Sequence, residues 1–207
     1  MLDKKYYEEL KDKNVYISKE SDVSKNAIIL ANSYILGNSK IADDAVIGPN
    51  TIIVDSKVGE NSKIINSYIE NSEVGKNVNV GPFAHLRDNT VLKDNCRIGN
   101  FVEVKKSVIE HDSKASHLAY IGDSFIGKNC NFGCGAITVN YDGYRKWQTI
   151  IGDDVFVGCN TNLVAPVKIN DNSFIACGST ITNDVPKNTL AIARSRQLNK
   201  IDYYKGD

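Results

Sequence analysis

ILANSYILGNSKIADDAVIGPNTIIVDSKV, which spans residues 29–58, carries an aliphatic residue at almost every sixth position. The series runs Ile29, Ile35, Ile41, Ile47, Ile53 and, after a five-residue step, Val58. An amphipathic helix would repeat its apolar residues at spacings of three and four, and a simple strand would alternate them. Neither template fits, so the stretch indicates a chain built from six-residue units.

The same period extends in both directions, from Ile17 to Ile181, and the residue after the apolar anchor is often glycine, alanine or serine. Glycine suits a corner where the backbone takes a positive φ. Each unit is therefore interpreted as a short strand followed by a corner. Three units make a coil of about 18 residues that rises roughly 4.8 Å, the spacing between paired strands. The repeat predicts an all-β parallel β-helix; a β-sandwich of short strands is the alternative, but it would not require so long a register.

The register divides the chain into three segments. Residues 1–13, MLDKKYYEELKDK, lack the repeat and are predicted to form an N-terminal helix or a disordered lead. Residues 14–184 are predicted to form the β-helix, with a loop inserted at residues 140–148, where NYDGYRKWQ breaks the period. Residues 185–207 are predicted to leave the coil as a C-terminal tail.

Composition excludes several classes of function. Lysine plus arginine and aspartate plus glutamate each number 25, so no long-range field favours nucleic acid or an anionic membrane. The N-terminal residues lack the apolar region of a signal peptide, and no apolar stretch is long enough to span a bilayer. The five cysteines form no C-x-x-C pair, which argues against a disulfide framework and a zinc ribbon. We expect a cytoplasmic protein without a metal site.

One column of residues points to chemistry. His117, Cys134, Cys159 and Cys177 each lie two positions beyond an apolar anchor, and their spacings correspond to whole coils once the 140–148 loop is allowed for. We therefore expect them to stack along one edge, with that loop beside them. A histidine at one end of a row of small side chains suits a long thioester arm.

His117 has two interpretations, a general base and a solvent-exposed corner histidine. The first is chemically useful because imidazole titrates near neutral pH and an attacking ammonium must first lose a proton. A covalent acyl-cysteine is disfavoured because nothing in the sequence pairs these thiols with an activating base. A zinc site built from His85, His111 and His117 is also disfavoured, because His111 and His117 are one rung apart and so lie on different faces.

A second column contains two cations. Arg87 and Lys105 each lie one residue past an anchor and are 18 positions apart, so they should stack on adjacent coils. Two stacked cations can hold a phosphate; two solvated surface charges are the alternative. Since this column belongs to a different edge from His117, we expect a neighbouring subunit to complete the site.

Three motifs, GNFVE-x-KK, SKA-x-HL-x-Y-x-GD and NYDG, together carry a family resemblance. From about residue 14 onward, and most strongly over residues 80–196, the chain resembles the C-terminal acetyltransferase domain of the bifunctional N-acetylglucosamine-1-phosphate uridyltransferase/glucosamine-1-phosphate N-acetyltransferase. The resemblance implies a left-handed β-helix, a homotrimer, no metal, and direct transfer of an acetyl group from acetyl-CoA to an amino sugar phosphate.

The resemblance also implies roles for individual residues. Arg87, Lys105, Tyr120 and Asn131 would hold the sugar phosphate, His117 would be the base, and Glu103 would orient either His117 or the amine. The coenzyme would be contacted by Cys134, Asn140, Tyr141, Lys146, Cys159, Cys177 and Arg194, of which Asn140 and Tyr141 flank the acetyl group. The family usually has alanine or serine at the three cysteine positions, so the path should stay open.

The chain departs from the family at its front. Bifunctional members carry a nucleotidyltransferase domain with a Gly-rich loop, and these residues contain neither, so uridyl transfer is not expected. A separate uridyltransferase is a candidate partner. The alternatives are a hexapeptide acetyltransferase for another amine, such as a nucleotide-linked amino sugar, and a non-catalytic β-helix scaffold.

Overall fold

The computed structural model describes residues 7–201 and residue 203. Within them the chain has almost no helix and a succession of two- to four-residue strands. The elements in chain order are α1 (Tyr7–Leu10), β1 (Tyr16–Ile17), β2 (Asp22–Val23), β3 (Ile28–Ile29), β4 (Tyr34–Leu36), β5 (Lys40–Ile41), β6 (Val46–Ile47), β7 (Ile52–Val54), β8 (Lys57–Val58), β9 (Lys63–Ile64), β10 (Tyr68–Glu70), β11 (Glu73–Val74), β12 (Asn79–Val80), β13 (His85–Arg87), β14 (Val91–Leu92), β15 (Arg97–Asn100), β16 (Glu103–Lys105), β17 (Val108–Ile109), β18 (Lys114–His117), β19 (Tyr120–Gly122), β20 (Ser124–Ile126), β21 (Asn131–Phe132), β22 (Ile137–Val139), β23 (Thr149–Ile151), β24 (Phe156–Val157), β25 (Asn162–Val164), β26 (Val167–Ile169), β27 (Phe174–Ile175), β28 (Thr180–Ile181) and β29 (Leu190–Ala191).

The strands form three parallel sheets, which are the faces of a prism. Face 1 contains β1, β4 and every third strand to β28; face 2 runs in the same way from β2 to β26; face 3 runs from β3 to β27 and adds β29. Strands three apart in the chain are hydrogen-bonded neighbours, as one turn of a solenoid requires. The predicted all-β, left-handed parallel β-helix is therefore confirmed.

The core consists of the predicted apolar anchors. Ile35, Ile64, Leu86, Ile98 and Ile121 are all completely buried inside the prism. Each such side chain contributes on the order of 1.5–3 kcal/mol to folding. Because the anchors of successive coils stack directly, the axial column of aliphatic side chains holds the coils in register.

The prism has three edges, named here by the faces that they join. At edge 1–2 the chain passes from face 1 to face 2, and edges 2–3 and 3–1 follow in each coil. Many corner residues are asparagine or aspartate in the left-handed region, for example Asn32 (φ 57°) and Asn129 (φ 53°). These side chains tolerate that conformation better than others do. The corners thus place side chains in vertical columns along each edge.

Both terminal segments of the predicted division contain regular secondary structure. Helix α1 lies within residues 1–13, although residues 1–6 of that segment lie outside the described part of the chain. Within residues 185–207, β29 pairs with β27 and Val185 is buried, so the coil continues past residue 184. Leu190 and Ala191 extend face 3 because the anchor spacing is restored there. No helix among the described residues is long and apolar enough to cross a membrane.

The loop over residues 140–148 does not lie where the sequence analysis placed it. It connects β22 to β23 and therefore sits at edge 1–2, whereas the column that begins at His117 lies at edge 3–1. The predicted proximity is wrong within one chain. Residue spacing counts whole coils, and an insertion at any of the three corners lengthens a coil equally.

Candidate active site

Edge 1–2 carries a cluster of charged groups around two stacked cations. Arg87 and Lys105 are direct partners in the register of β13 and β16, as their spacing predicts. The Arg87 guanidinium donates to Glu103 Oε1 from Nε at 2.8 Å, and its second terminal nitrogen lies 2.7 Å from the same oxygen. The remaining nitrogen lies 3.0 Å from Asp88 Oδ2. These contacts with Glu103 and Asp88 fix the orientation of the Arg87 guanidinium.

The Lys105 ammonium is almost fully buried, with the residue 5% exposed. It lies 3.0 Å from Asp123 Oδ2 and 4.0 Å from Asp88 Oδ2. Burial alone would lower the pKa of Lys105, but the hydrogen bond to Asp123 and the negative charge of that carboxylate outweigh it, so the pKa is raised above its usual value. Lys105 therefore stays charged, and it can neutralise an anion at this edge.

Asn140 and Tyr120 close the cluster on the side of the loop. The Asn140 amide donates to Asp123 Oδ2 at 2.5 Å and to the Tyr120 hydroxyl at 3.4 Å. Gly122 makes this possible, because a Cβ there would lie 2.5 Å from the Tyr120 hydroxyl and 2.8 Å from Asn140 Nδ2. The glycine of the GD motif thus provides space for the polar groups.

The loop over residues 140–148 is held by one carboxylate. Asp142 Oδ1 accepts hydrogen bonds from the backbone N–H groups of Tyr144 and Arg145, both at 2.8 Å, and its Oδ2 accepts from Trp147 Nε1 at 2.6 Å. The Arg145 guanidinium stacks 3.8 Å from the centre of the Trp147 ring. The hydrogen bonds from Arg145 and Trp147 lower the pKa of Asp142 to about 2. The carboxylate is therefore charged under all ordinary conditions and organises the loop.

We expect Asp142→Asn to loosen this loop without unfolding the β-helix, since an amide oxygen accepts these hydrogen bonds more weakly than a carboxylate. Trp147 is the single tryptophan of the sequence, so its fluorescence reports on the loop alone. The measurement is emission maximum and anisotropy, with a red shift and lower anisotropy expected. The control is Asp153→Asn at a different edge, where the fluorescence should not change. A variant with the emission of the wild type would contradict this role for Asp142.

Lys146 extends from the loop over the cluster. The neighbouring Lys105 ammonium lowers the pKa of Lys146, because like charges repel. Lys146, Trp147 and Gln148 line an open cavity of about 280 Å³ together with Asp123 and Lys106. Two of the five lining side chains are basic and one is acidic, so the cavity has a small excess of positive charge that can attract an anionic ligand.

Edge 3–1 carries the predicted column that begins at His117. Ala115, Phe132, Val157 and Ile175 are successive register partners on face 3, so His117, Cys134, Cys159 and Cys177, two residues farther on, stack at the corner. The His117 ring lies exposed, and its Nδ1 is 2.8 Å from Asn100 Oδ1 of the preceding coil.

The stacked corner is tight between coils and open on its outer side. A Cβ at Gly133 would lie 2.6 Å from the Cys159 backbone nitrogen, and one at Gly158 would lie 2.6 Å from that of Cys177. The Arg194 side chain reaches the end of the same column, where its Cδ would be 3.7 Å from a Cβ on Gly178. Cys159 and Cys177 are exposed on the outer side of this column, and the Arg194 side chain lies at its end.

The predicted site residues thus fall into two groups and two outliers. Edge 1–2 gathers Arg87, Glu103, Lys105, Tyr120, Asn140 and Lys146, and edge 3–1 gathers His117, Cys134, Cys159, Cys177 and Arg194. Tyr141 is exposed on the loop, where its hydroxyl donates to the Gly143 carbonyl at 2.6 Å, and Asn131 lies on face 3 beside Lys114. Glu103 contacts Arg87, and the residue that contacts the His117 ring is Asn100.

Sequence reasoning missed three residues. Asp88 and Asp123 each follow a residue of the Arg87–Lys105–Gly122 register column, and that regular position was the available signal. Asn100 is the register partner of His117 one coil earlier. Finding these residues from the sequence requires examining the positions next to each column in the chain and in the preceding coil.

The remaining thiols and histidines form no further cluster. Cys96 and Cys130 are buried in the prism, and burial raises the pKa of each thiol to about 11. His85, His111 and His117 lie on face 1, at edge 2–3 and at edge 3–1, respectively. Over residues 7–201 and residue 203, no group of three or more histidine, cysteine, aspartate or glutamate side chains could hold a metal ion.

A fold of stacked six-residue units with a cationic edge defines a hexapeptide-repeat β-helix protein. A family model described as the GMPPB C-terminal domain matches residues 68–170. The bifunctional protein GlmU of Caldanaerobacter subterraneus subsp. tengcongensis is 56% identical over 187 residues, which cover 90% of this chain and 41% of that protein. The chain spans 32–41% of the length of the curated relatives it matches. It corresponds to the C-terminal domain of the GlmU proteins, so the resemblance found in the sequence is confirmed.

Solved structures share the fold at low sequence identity. The UDP-N-acetylglucosamine acyltransferase of Francisella novicida has a TM-score of 0.68 and 21% identity, over 83% of this chain and 66% of that chain. PerB of Caulobacter crescentus, crystallised with CoA and GDP-perosamine, has a TM-score of 0.50 and 18% identity, over 56% of this chain and 54% of that chain. These two likenesses support the β-helix fold.

Proposed function

We propose that this chain is an acyltransferase of the hexapeptide family that moves the acetyl group of acetyl-CoA to the amine of glucosamine-1-phosphate. The observation that carries the proposal is the stacked pair of cations, half-buried Arg87 and buried Lys105, in a chain that corresponds to a GlmU C-terminal domain. Both cations are held by carboxylates at hydrogen-bonding distance, so their positions at edge 1–2 are fixed before a phosphate binds. The CoA in the crystal of PerB, a protein of similar fold, is consistent with a thioester donor.

The proposed chemistry uses residues of both edges, with the acceptor phosphate at edge 1–2 and the coenzyme arm along edge 3–1. The phosphate of the acceptor binds Arg87 and Lys105, with Tyr120 and Asn131 on the sugar. The coenzyme lies along Cys134, Cys159 and Cys177, with Arg194 and Lys146 on its anionic groups, and Asn140 and Tyr141 flank the acetyl carbon.

In this scheme His117 removes a proton from the acceptor ammonium. The amine nitrogen then forms a bond to the thioester carbonyl carbon, and collapse of the tetrahedral intermediate breaks the C–S bond. The attacking nitrogen loses its second proton to solvent, and the proton on the imidazole passes to the departing thiolate, so that amide, thiol and one released proton balance the ammonium and the thioester. The Asn100 contact with Nδ1 leaves Nε2 as the nitrogen that faces the amine.

The proposal includes a homotrimer with sites between subunits. Arg87 and Lys105 belong to edge 1–2, and His117 belongs to edge 3–1, so one prism presents the two halves on different edges. A neighbouring copy brings its edge 3–1 against edge 1–2 of the first. A cytoplasmic location and a separate uridyltransferase partner belong to the same proposal.

The test is release of CoA thiol by the purified protein. Glucosamine-1-phosphate is compared with glucosamine, glucosamine-6-phosphate and a UDP-linked amino sugar, and light scattering gives the oligomeric state. We expect rapid release with glucosamine-1-phosphate from a trimer. Release only with the UDP-linked sugar would replace the acceptor, and no release from a folded trimer would favour a scaffold.

A further inference from the structure

Asp123 stands at a corner position that has a simple conformational explanation. It follows β19 with φ 48°, and its backbone N–H donates to the Lys105 carbonyl at 3.0 Å. Asp55 occupies the same corner four coils earlier, with φ 45° and a hydrogen bond from its N–H to the Leu36 carbonyl at 3.2 Å. Aspartate or asparagine suits such left-handed corners. Conformation therefore explains the residue type, and it leaves the position of the carboxylate unexplained.

The carboxylate of Asp123 differs from that of Asp55 in what surrounds it. Asp55 is exposed, and its Oδ1 accepts a hydrogen bond from the backbone N–H of Asn38. Asp123 is 9% exposed, and its Oδ2 is shared by the Lys105 ammonium at 3.0 Å and the Asn140 amide at 2.5 Å. Its Oδ1 lies 3.7 Å from Lys106 Nζ. One buried oxygen thus joins two side chains from different coils.

The shared oxygen fixes the orientation of both partners. Lys105 and Asn140 are 5% and 7% exposed, so solvent competes little for either hydrogen bond. A carboxylate can only accept hydrogen bonds, so the NH₂ group of Asn140 must face Asp123 and its amide oxygen must face away. The same contact keeps the Lys105 ammonium at the edge beside Arg87.

We propose that Asp123 is a positioning residue that couples the phosphate-binding cation Lys105 to the acetyl-flanking amide Asn140 through one carboxylate oxygen. The inference rests on the proposed function, in which these two side chains serve the two substrates. It adds a residue to which neither substrate binds. Loss of the charge releases both partners, so that phosphate recognition and acetyl transfer deteriorate together.

The test uses Asp123→Asn, because asparagine keeps the left-handed corner and removes only the charge. The matched control is Asp55→Asn at the equivalent corner. We expect kcat/KM for glucosamine-1-phosphate to fall about 10–100-fold in Asp123→Asn and to stay unchanged in Asp55→Asn. The preference for the phosphorylated acceptor over glucosamine should fall about 10-fold, through KM, while unfolding remains cooperative.

A double-mutant cycle with Lys105→Met separates positioning from a general loss of fold. If Asp123 acts through Lys105, the double variant should keep about the same acceptor preference as Lys105→Met alone. Equal losses for both acceptors in Asp123→Asn, or losses that multiply in the double variant, would overturn the proposal. The double variant removes both charges, so it leaves no unpaired buried ion to unfold it.

A ligand-free measurement keeps this inference separate from the proposed function. In protein labelled with ¹⁵N-asparagine, the Asn140 side-chain amide should exchange slowly with solvent and should lose this protection in Asp123→Asn. The Asp55→Asn spectrum should retain it. Wild-type protein inactive with every acceptor would contradict the proposed function alone. Unchanged Asn140 protection in Asp123→Asn would contradict the positioning role alone.

Discussion

We expect His117→Ala to lower kcat for the proposed acetyl transfer by about 10²–10⁴-fold, the usual contribution of a general base. The reason is that the acceptor amine is protonated at neutral pH and cannot attack the thioester until it loses a proton. KM for the acceptor should change little, because His117 lies on a different edge from the cations that bind the phosphate. The measurement is steady-state thiol release at saturating acetyl-CoA.

The fold should tolerate this change, since the His117 ring is exposed at a corner and makes one side-chain hydrogen bond, to Asn100. The matched control is His111→Ala, a corner histidine at edge 2–3 that should retain wild-type kcat. We also expect an intermediate loss for Asn100→Ala, which frees the ring. A kcat near that of the wild type in His117→Ala would rule out this residue as the base.

Lys105→Met should raise KM for glucosamine-1-phosphate by about 10–100-fold, as expected for loss of one charged hydrogen bond worth roughly 1.5–3 kcal/mol. It should also reduce the free energy of unfolding by about 3–5 kcal/mol, because it leaves the Asp123 carboxylate buried without its closest cation. The measurements are acceptor titrations and urea denaturation.

The stability loss has a defined pH dependence. In the wild type the pKa of Asp123 is lowered, because hydrogen bonds from Lys105 and Asn140 outweigh the burial that would raise it. That group stabilises the fold at neutral pH, and the contribution is lost as the pH falls through its folded-state pKa. Without Lys105, burial dominates and the pKa moves upward. The variant should therefore be most destabilised at neutral pH and regain stability relative to the wild type on acidification.

Lys106→Met is the control for this prediction. The Lys106 side chain is 68% exposed, and its Nζ lies 3.7 Å from Asp123 Oδ1. Lys106→Met therefore removes a solvated charge near the same carboxylate. We expect less than about 1 kcal/mol of destabilisation. Equal free energies of unfolding for the two lysine variants would contradict a stabilising buried pair of Lys105 and Asp123. So would a difference in stability between Lys105→Met and the wild type that did not become smaller at low pH.

The fold could be predicted because the apolar anchors recur at the same spacing along most of the chain. Anchors such as Ile35, Ile64 and Ile98 recur at six residues, and burying all of them at once requires a coil of three strands. The prediction assigned the residues of strand β29 to the tail, because the six-residue spacing is interrupted just before that strand.

The site could be predicted only as columns. The register of Arg87 with Lys105, and of His117 with the three cysteines, follows from counting residues. The position of the 140–148 loop did not follow, because spacing does not reveal which corner holds an insertion. Side-chain partners such as Asp123 for Lys105 were also missed, since they cross from one coil to the next.

The amino-acid sequence by itself therefore determined the β-helix, its period and the two chemical columns, because local hydrophobic spacing dictates which residues point inward. Only the tertiary structure decided that the loop lies over the cations at edge 1–2, that Glu103 binds Arg87, and that Asp123 holds Lys105 and Asn140. These contacts depend on distances between side chains of separate coils, which are set by corner geometry and burial, and a one-dimensional pattern does not contain those distances.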